Sequence, residues 1–230
     1  MKTRDLFKLK LDDIYWNLKF GRSIRKSNFQ DIRLRGLDVP PPVFFLSTGR
    51  CGTNWFYYFL SNFKAYKTFH EPIPNLGAQG RLVYNNYQKS GFAPDENEKQ
   101  LMKEIFLAGR EQFLRYSYKT NKAFIETNNH VTFFAPLLIE LFPKAKFIHL
   151  VRHPGEFARS AMRRNFYAGT SDDIKRIKPL SGPYKEKWET TSQAEKCAWL
   201  WKETNAYIER IRKFIPEEQF FFFNLQPAWK

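Results

Sequence analysis

Short apolar runs alternate with longer segments of helical periodicity from residue 40 onward. The runs have the length and composition of strands, whereas the segments repeat apolar residues at the spacing of a helix face. The runs predict strands at Val43–Ser47, Tyr66–Phe69, Ala123–Glu126, Lys146–Val151 and Gln219–Phe223. The segments predict helices at Thr53–Phe63, Glu98–Tyr116, Val131–Phe142, Gly155–Arg164 and Gln193–Phe214. This alternation indicates an α/β fold with a mostly parallel central sheet flanked by helices.

Two stretches interrupt the alternation and are predicted to be loops. Residues 72–97 are rich in proline and glycine, and residues 165–190 are rich in basic side chains. Glycine and proline are the residues that most often interrupt regular structure. The most continuous apolar runs, Val43–Leu46 and Phe220–Phe223, predict strands that are buried on both faces.

The first part of the chain has a different character. Residues 1–38 carry ten basic and five acidic side chains, with apolar residues at near-helical spacing. A basic amphipathic helix that contacts a membrane surface and a partly solvated extension both fit this pattern. Three prolines at 40–42 then force an extended chain. We therefore divide the protein into an N-terminal extension, 1–38, and a single domain, 39–230.

The composition adds a strong positive charge. The 230 residues include 38 Lys and Arg against 23 Asp and Glu, for a net charge of +15. Nucleic acid, anionic lipid, an acidic glycan and a phosphate-rich cofactor are all suitable partners for such a chain. No apolar run reaches the roughly 18 residues of a membrane span, and no secretory signal opens the sequence. Two cysteines, Cys51 and Cys197, predict a reducing, cytoplasmic location and form no metal-binding pattern.

The segment Val43–Trp55 carries the clearest chemical pattern. A buried strand is followed by a tight turn with Gly49 and Gly52 and then by a helix. Backbone N–H groups at such a helix start attract an anion, and Arg50 adds a positive charge within the turn. An ordinary strand–turn–helix is the alternative. A Walker A loop would need Lys where Thr53 stands, so a metal-dependent nucleoside triphosphatase is disfavoured.

Two motifs resemble those of the sulfotransferases that use 3′-phosphoadenosine 5′-phosphosulfate (PAPS). Arg50-Cys51-Gly52-Thr53 is similar to the family's 5′-phosphosulfate loop. The strand Phe147–Val151, followed by Arg152, Pro154 and a serine eight residues after the arginine, is similar to its 3′-phosphate motif. The resemblance spans roughly residues 40–225 and is closer to the carbohydrate-type members. It implies a P-loop-like three-layer α/β fold and a sulfuryl transfer that needs no metal.

The resemblance also implies roles for individual residues. Arg152 and Ser160 would hold the 3′-phosphate, and Trp55 would stack near the adenine, although a core position for Trp55 is equally compatible. Cys51 follows Arg50 at a helix start, a position that lowers a thiol pKa. The predicted nucleotide-binding residues are Arg50, Cys51, Gly52, Thr53, Asn54, Trp55, Arg152 and Ser160.

The reaction needs a base for the acceptor hydroxyl and a cation for the leaving group. Arg50 is the predicted cation. Glu71, which follows the strand Tyr66–Phe69, resembles the family's glutamate in this region and is the predicted base, with His70 as its nearest rival. Glu126 and His130 at the end of a later strand are further candidates.

The sequence alone leaves open the acceptor and two competing functions. A glycan hydroxyl is the acceptor that the resemblance favours. Many family members carry a basic, glycine-containing segment beyond the last strand, which is missing from 224–230. Either the subgroup lacks it, the basic segment 163–187 replaces it, or the chain is a fragment. A polyanion-binding module and a nucleotide-dependent kinase are the alternative functions; nucleic acid is the less favoured partner because it leaves both motifs unexplained.

Overall fold

The computed structural model describes residues 40–225, and these contain a five-stranded sheet in which every pairing is parallel. The strands are β1 Val43–Leu46, β2 Tyr66–Phe69, β3 Ala123–Glu126, β4 Lys146–Arg152 and β5 Phe220–Leu225. Their order across the sheet is β2-β3-β1-β4-β5. The predicted α/β fold with a parallel sheet is confirmed. The interpretation of 1–38 concerns residues outside the described range.

Helices connect the strands and cover the sheet. They are α1 Thr53–Ser61, α2 Gly77–Lys89, α3 Glu96–Lys119, α4 Ala135–Leu141, α5 Pro154–Met162, α6 Pro183–Lys187 and α7 Gln193–Arg212, with 3-10 turns at Asn129–Phe134, Ser171–Lys175 and Glu217–Gln219. The two longest, α3 and α7, each begin with a capping box, formed by Asp95 with Glu98 and by Ser192 with Glu195. Among the described residues, no helix has the length and apolar character needed to cross a bilayer.

The central strand β1 separates two hydrophobic clusters of unequal size. Phe44 and Leu46 belong to the large cluster, and Phe45 belongs to the small one, as expected for side chains that alternate across a sheet. The small cluster is closed by Phe56 and Leu60 of α1. The remaining long helices contribute to the large cluster. The chain therefore forms three layers, with the sheet in the middle.

The predicted loop at 72–97 is wrong, because this region contains the 13-residue helix α2. Its two glycines suggested a loop but serve close packing. A Cβ on Gly80 would lie 2.6 Å from the carbonyl oxygen of His130, and one on Gly77 would lie 2.8 Å from the side chain of Lys175. Glycine therefore lets α2 approach the backbone of His130 and the side chain of Lys175. The predicted loop at 165–190 likewise contains a 3-10 turn and α6.

The predicted burial holds for the first apolar run and fails for the last. Phe44, Phe45 and Leu46 in β1 are fully buried. In β5, by contrast, Phe221, Phe222 and Phe223 are 40%, 52% and 48% exposed. The reason is their position in the sheet: β1 pairs on both sides, whereas β5 is an edge strand that pairs with β4 alone among the described strands. An apolar run by itself does not distinguish a central strand from an edge strand.

Candidate functional site

A cleft of about 550 Å³ opens at the carboxyl ends of the strands, where α/β proteins bind their ligands. It is lined by the residues that follow β1, β2 and β3, by the end of β4, by parts of segment 164–177 and by two residues of α7. The predicted site residues along this lining are Arg50, Gly52, Thr53, Asn54, His70, Glu71, His130 and Arg152. The cleft therefore brings together both motifs and most of the candidate bases.

The turn between β1 and α1 forms one end of the cleft. Gly49 and Gly52 adopt positive φ angles of 76° and 75°, and Arg50 between them has a φ of 55°. The left-handed region is costly for a residue with a side chain, and such strain concentrates at functional sites. Gly52 is the N-cap of α1, and no side chain caps this helix start. The N–H groups of the first turn of α1 therefore have no side-chain cap and border the cleft.

Hydrogen bonds from neighbouring segments fix this turn. Ser47 N–H donates to Thr132 Oγ1 at 3.0 Å, and Thr132 Oγ1 donates to Ser47 O at 3.0 Å. Ser47 Oγ then accepts from Gly49 N–H at 3.1 Å. Thr132 is fully buried. No local pattern indicated its role, because Thr132 lies 85 positions from Ser47.

Three arginines crowd the same end of the cleft. Arg152 Nη1 donates to the backbone oxygen of Arg50 at 3.0 Å, and Arg152 Nε donates to Glu156 Oε2 at 3.0 Å. Partial burial and the positive charges of Arg164 and Arg152 lower the pKa of Arg50. Such crowding disfavours the charged form of Arg50, and an anion bound between the arginines would relieve it.

Ser160 contacts an arginine of the first motif. Its Oγ accepts a hydrogen bond from Arg50 Nε at 3.2 Å. The shared phosphate of Ser160 and Arg152 stays a prediction. The hydroxyl lies on α5, which begins directly after β4 and runs beside the turn that carries Arg50. Ser160 therefore links the two motifs through Arg50.

Glu71 and two histidines occupy the part of the cleft beyond β2. Glu71 is exposed and has a φ of 46°, so it also adopts the left-handed conformation. His70 Nδ1 forms a hydrogen bond with Thr127 Oγ1 at 3.0 Å, and His130 Nδ1 forms one with Asn75 O at 3.2 Å. Burial lowers the pKa of both histidines, and the charge of Glu71 partly opposes this effect. The exposed carboxylate is thus the more accessible of these groups.

Glu126 lies apart from the cleft. Its side chain is fully buried and forms an ion pair with the fully buried Arg110, with a 2.7 Å separation between Oε1 and Nη2. Arg110 Nη1 also donates to the backbone oxygen of Pro74 at 2.6 Å. A carboxylate held in this way is not available to an acceptor hydroxyl. Glu126 instead anchors, through Arg110, the segment that follows Glu71.

Two residues of the predicted loop do not line the cleft. Cys51 packs with Phe45, Ile125 and Leu150 in the small cluster, and burial raises the pKa of its thiol. The expected lowering of this pKa is therefore wrong, because desolvation outweighs the nearby positive charge. Trp55 is 60% exposed and stacks on Phe59 with ring centroids 5.1 Å apart. Its core alternative is also wrong, and its role in stacking on adenine stays a prediction.

The comparisons with known proteins agree with this geometry. Residues 41–222 match the sulfotransferase family. The chain belongs to that family. A comparison with curated protein sequences gave no match.

A solved sulfotransferase structure shares its fold. A sulfotransferase domain from the curacin biosynthetic pathway superimposes with a TM-score of 0.50 at 15% identity, over 81% of this chain and 67% of that one. The sulfotransferase domain of the Synechococcus PCC 7002 olefin synthase gives 0.45 at 15% identity, over 86% and 70%. The sulfotransferase from Alicyclobacillus acidocaldarius gives 0.46 at 15% identity, over 81% and 73%. At 15% identity, the similarity to the domain from the curacin pathway concerns the fold alone.

Several lining residues of this sulfotransferase-family chain were not assigned a role from sequence. Asn75, Phe133, Phe166, Leu200 and Thr204 all border the cleft. Their places depend on the packing of α2, α7 and segment 164–177 over the strand ends, which no local pattern records. Arg164, Lys175 and Arg176 were visible only as members of a basic segment, and all three line the cleft as well.

Proposed function

We propose that this sulfotransferase-family chain uses PAPS as its donor and binds the donor's phosphate groups at the start of α1. The observation that carries the proposal is the convergence of Arg50, Arg152 and Arg164 on an uncapped helix start within one cleft. N–H groups without a side-chain cap, a helix dipole and three guanidinium groups together form an anion site. A donor with phosphate groups at both ends of its ribose offers anions to more than one of these arginines.

The transfer is proposed to proceed by in-line displacement. Glu71 accepts the proton of the acceptor hydroxyl as the acceptor oxygen forms its bond to sulfur. The bond between sulfur and the bridging oxygen breaks, and the electron pair leaves with the phosphate of the nucleotide. Arg50 stabilises the negative charge that develops on that oxygen. The exposure of Glu71 and its place in the same cleft as Arg50 support this division of roles.

The acceptor is proposed to be a hydroxyl of a glycan. Asn75, Asn129 and Asp172 line the cleft together with Glu71, and amide and carboxylate groups hydrogen-bond readily to sugar hydroxyls. A cytoplasmic location is proposed because both cysteines are free and buried. The predicted contact of 1–38 with a membrane surface stays a prediction about residues outside the described range.

A thermal-shift titration tests the donor site. Adenosine 3′,5′-bisphosphate is expected to raise the melting temperature, and the Arg152→Ala variant is expected to weaken its binding by about 10- to 100-fold, because a hydrogen bond to a charged group is lost. Arg159→Ala is the matched control, since Arg159 is exposed on α5 and does not line the cleft.

Two outcomes would contradict the proposed donor. Stabilisation by ATP–Mg²⁺ alone would favour the kinase. Salt-dependent binding to DNA or anionic vesicles, with no preference for the bisphosphate, would favour a polyanion-binding module.

A further inference from the structure

A second cavity of about 420 Å³ lies between α2, α7 and residues 179–184. It shares no lining residue with the main cleft. The two are nevertheless neighbours, because the ring of Tyr84 in the second cavity contacts the ring of Phe133 in the cleft at 5.2 Å. The residues that line the second cavity take no part in the proposed sulfuryl transfer.

The carboxylate of Glu203 gives this cavity a negative charge. Tyr84 Oη donates to Glu203 Oε1 at 2.8 Å, and Gln88 Nε2 donates to the same oxygen at 3.1 Å. Both donors are neutral, so the charge stays in place. Within residues 40–225, Glu203 forms no ion pair. Its helix neighbours three and four positions away are Trp199, Leu200, Ala206 and Tyr207, which carry no positive charge.

Glu203 differs from another carboxylate of α7 in having no ion-pair partner among the described residues. On the same helix, Glu209 lies 3.6 Å from Arg212. The electrostatic effect of Glu203 is felt nearby, because burial and then this carboxylate raise the pKa of Tyr84 well above its usual range.

Aromatic rings form much of the surrounding wall. Tyr84 and Trp199 are buried, whereas Tyr184 on α6 is exposed, and all three line the cavity. The faces of such rings attract cations, and the attraction is strongest for indole. A hard metal ion is a poor match, because it prefers several oxygen ligands and Glu203 is the only carboxylate in the lining. An ammonium group on an organic molecule can use both the carboxylate and the rings.

We propose that the second cavity binds an organic ammonium ion, with Glu203 as the charge partner and Tyr84, Trp199 and Tyr184 as the aromatic wall. Arg210 acts on Tyr84 from outside the lining. The competing positive charge within the cavity is Lys89, which lines it and is exposed at the end of α2. It forms no ion pair with Glu203 within 4.0 Å among the described residues. Its removal should therefore strengthen the binding of an external ammonium ion. The site does not depend on the proposed sulfuryl transfer.

Calorimetric titration of the full chain with choline tests this site, because its neutral isostere 3,3-dimethyl-1-butanol has nearly the same shape. Choline is expected to bind saturably and about tenfold or more tightly than the isostere, since only choline carries the charge. Glu203→Gln is expected to weaken choline binding by a similar factor, and Lys89→Ala to strengthen it. Glu209→Gln is the matched control on the same helix and should change nothing.

Equal affinity for choline and its isostere would overturn the proposal, as would the absence of saturable choline binding. If Glu203→Gln fails to fold because Tyr84 and Gln88 lose their acceptor, Tyr184→Ala replaces it, since no hydrogen bond involves that exposed ring among the described residues. Saturating adenosine 3′,5′-bisphosphate should leave choline binding intact. Displacement would place choline in the main cleft and contradict the assignment, whatever the donor proves to be.

Discussion

Glu71 and Glu126 lie at neighbouring strand ends and have opposite environments. In the parallel pairing of β2 with β3, Phe69 is opposite Glu126, and Glu71 follows Phe69 by two residues. Glu71 is exposed in the cleft, whereas Glu126 is fully buried against Arg110. Position at a strand end therefore does not decide whether a carboxylate can act on a substrate; its partners do.

The two carboxylates are nevertheless connected. Arg110 links Glu126 to the backbone oxygen of Pro74, three residues after Glu71. Asn128 adds a second link, because its Nδ2 donates to Asn75 O at 2.9 Å and to Glu126 Oε1 at 3.3 Å. The buried carboxylate thus supports the backbone that carries the exposed one. Loss of the Glu126 carboxylate should therefore affect stability, and loss of the Glu71 carboxylate should affect turnover.

The largest expected effect is on the turnover of the Glu71→Gln variant. If Glu71 removes the acceptor proton, kcat should fall by about 100- to 10,000-fold, the usual contribution of a general base. The affinity for adenosine 3′,5′-bisphosphate should stay unchanged, because the arginines proposed to hold its phosphate groups are untouched. Sulfate transfer to an acceptor and calorimetric binding of the nucleotide measure the two quantities.

His70→Asn is the matched comparison for Glu71→Gln, because His70 is adjacent and also lines the cleft. It should reduce kcat much less. Full turnover in Glu71→Gln would place the base elsewhere. A loss of kcat of the size expected for Glu71→Gln, seen in His70→Asn alone, would do the same.

The second effect concerns the stability of the Glu126→Gln variant. The substitution leaves the Arg110 charge buried without its partner, which should lower the free energy of unfolding by about 3–5 kcal/mol. Urea denaturation measures this quantity. Glu71→Gln should stay within about 0.5 kcal/mol of the unsubstituted chain, because its side chain is exposed.

A double variant separates the charge from the packing. Arg110→Met with Glu126→Leu removes both charges and keeps apolar volume, so it should recover much of the lost stability. Should Glu126→Gln fail to fold, recovery in the double variant still supports the uncompensated charge as the cause. A Glu126→Gln variant as stable as the original chain would show that the pair contributes little.

Most of the fold followed from periodicity. The bounds of β2 and β3 were predicted to the residue, and those of β1, β4 and β5 to within one or two positions. The predicted helix Val131–Phe142 is divided into a 3-10 turn and α4, at whose start Pro136 lies. The helix α2 was missed because its glycines have a tertiary purpose, which is close approach to His130 and Lys175.

The candidate site was predictable where its residues share a local motif. Arg50 and Arg152 both stand in strand–turn–helix patterns that an anion site requires, and both line the cleft. Arg110 gave no such signal, because a buried arginine in a helix resembles a surface arginine in sequence. The contact of Ser160 with Arg50 rather than Arg152 also depends on side-chain directions that spacing does not determine.

The smallest expected effect is the pH dependence of His70 and His130, which flank the two glutamates. Burial lowers the pKa of both, so the folded-state value lies below the unfolded value of about 6.5. The unfolded chain therefore binds more protons in this range, and the free energy of unfolding should fall as the pH drops through about 6.5. Each histidine can contribute up to about 1.4 kcal/mol per pH unit.

Glu71→Gln sharpens this test, because the Glu71 carboxylate raises the pKa of both histidines against the effect of burial. Its removal should lower both pKa values further and extend the loss of stability to lower pH. Proton NMR titration of the imidazole signals measures the pKa values directly. A His130 that titrates above the ordinary histidine value would contradict the dominant effect of burial. A His130 whose pKa does not respond to Glu71→Gln would mean that the exposed carboxylate exerts no field on the buried side of the cleft.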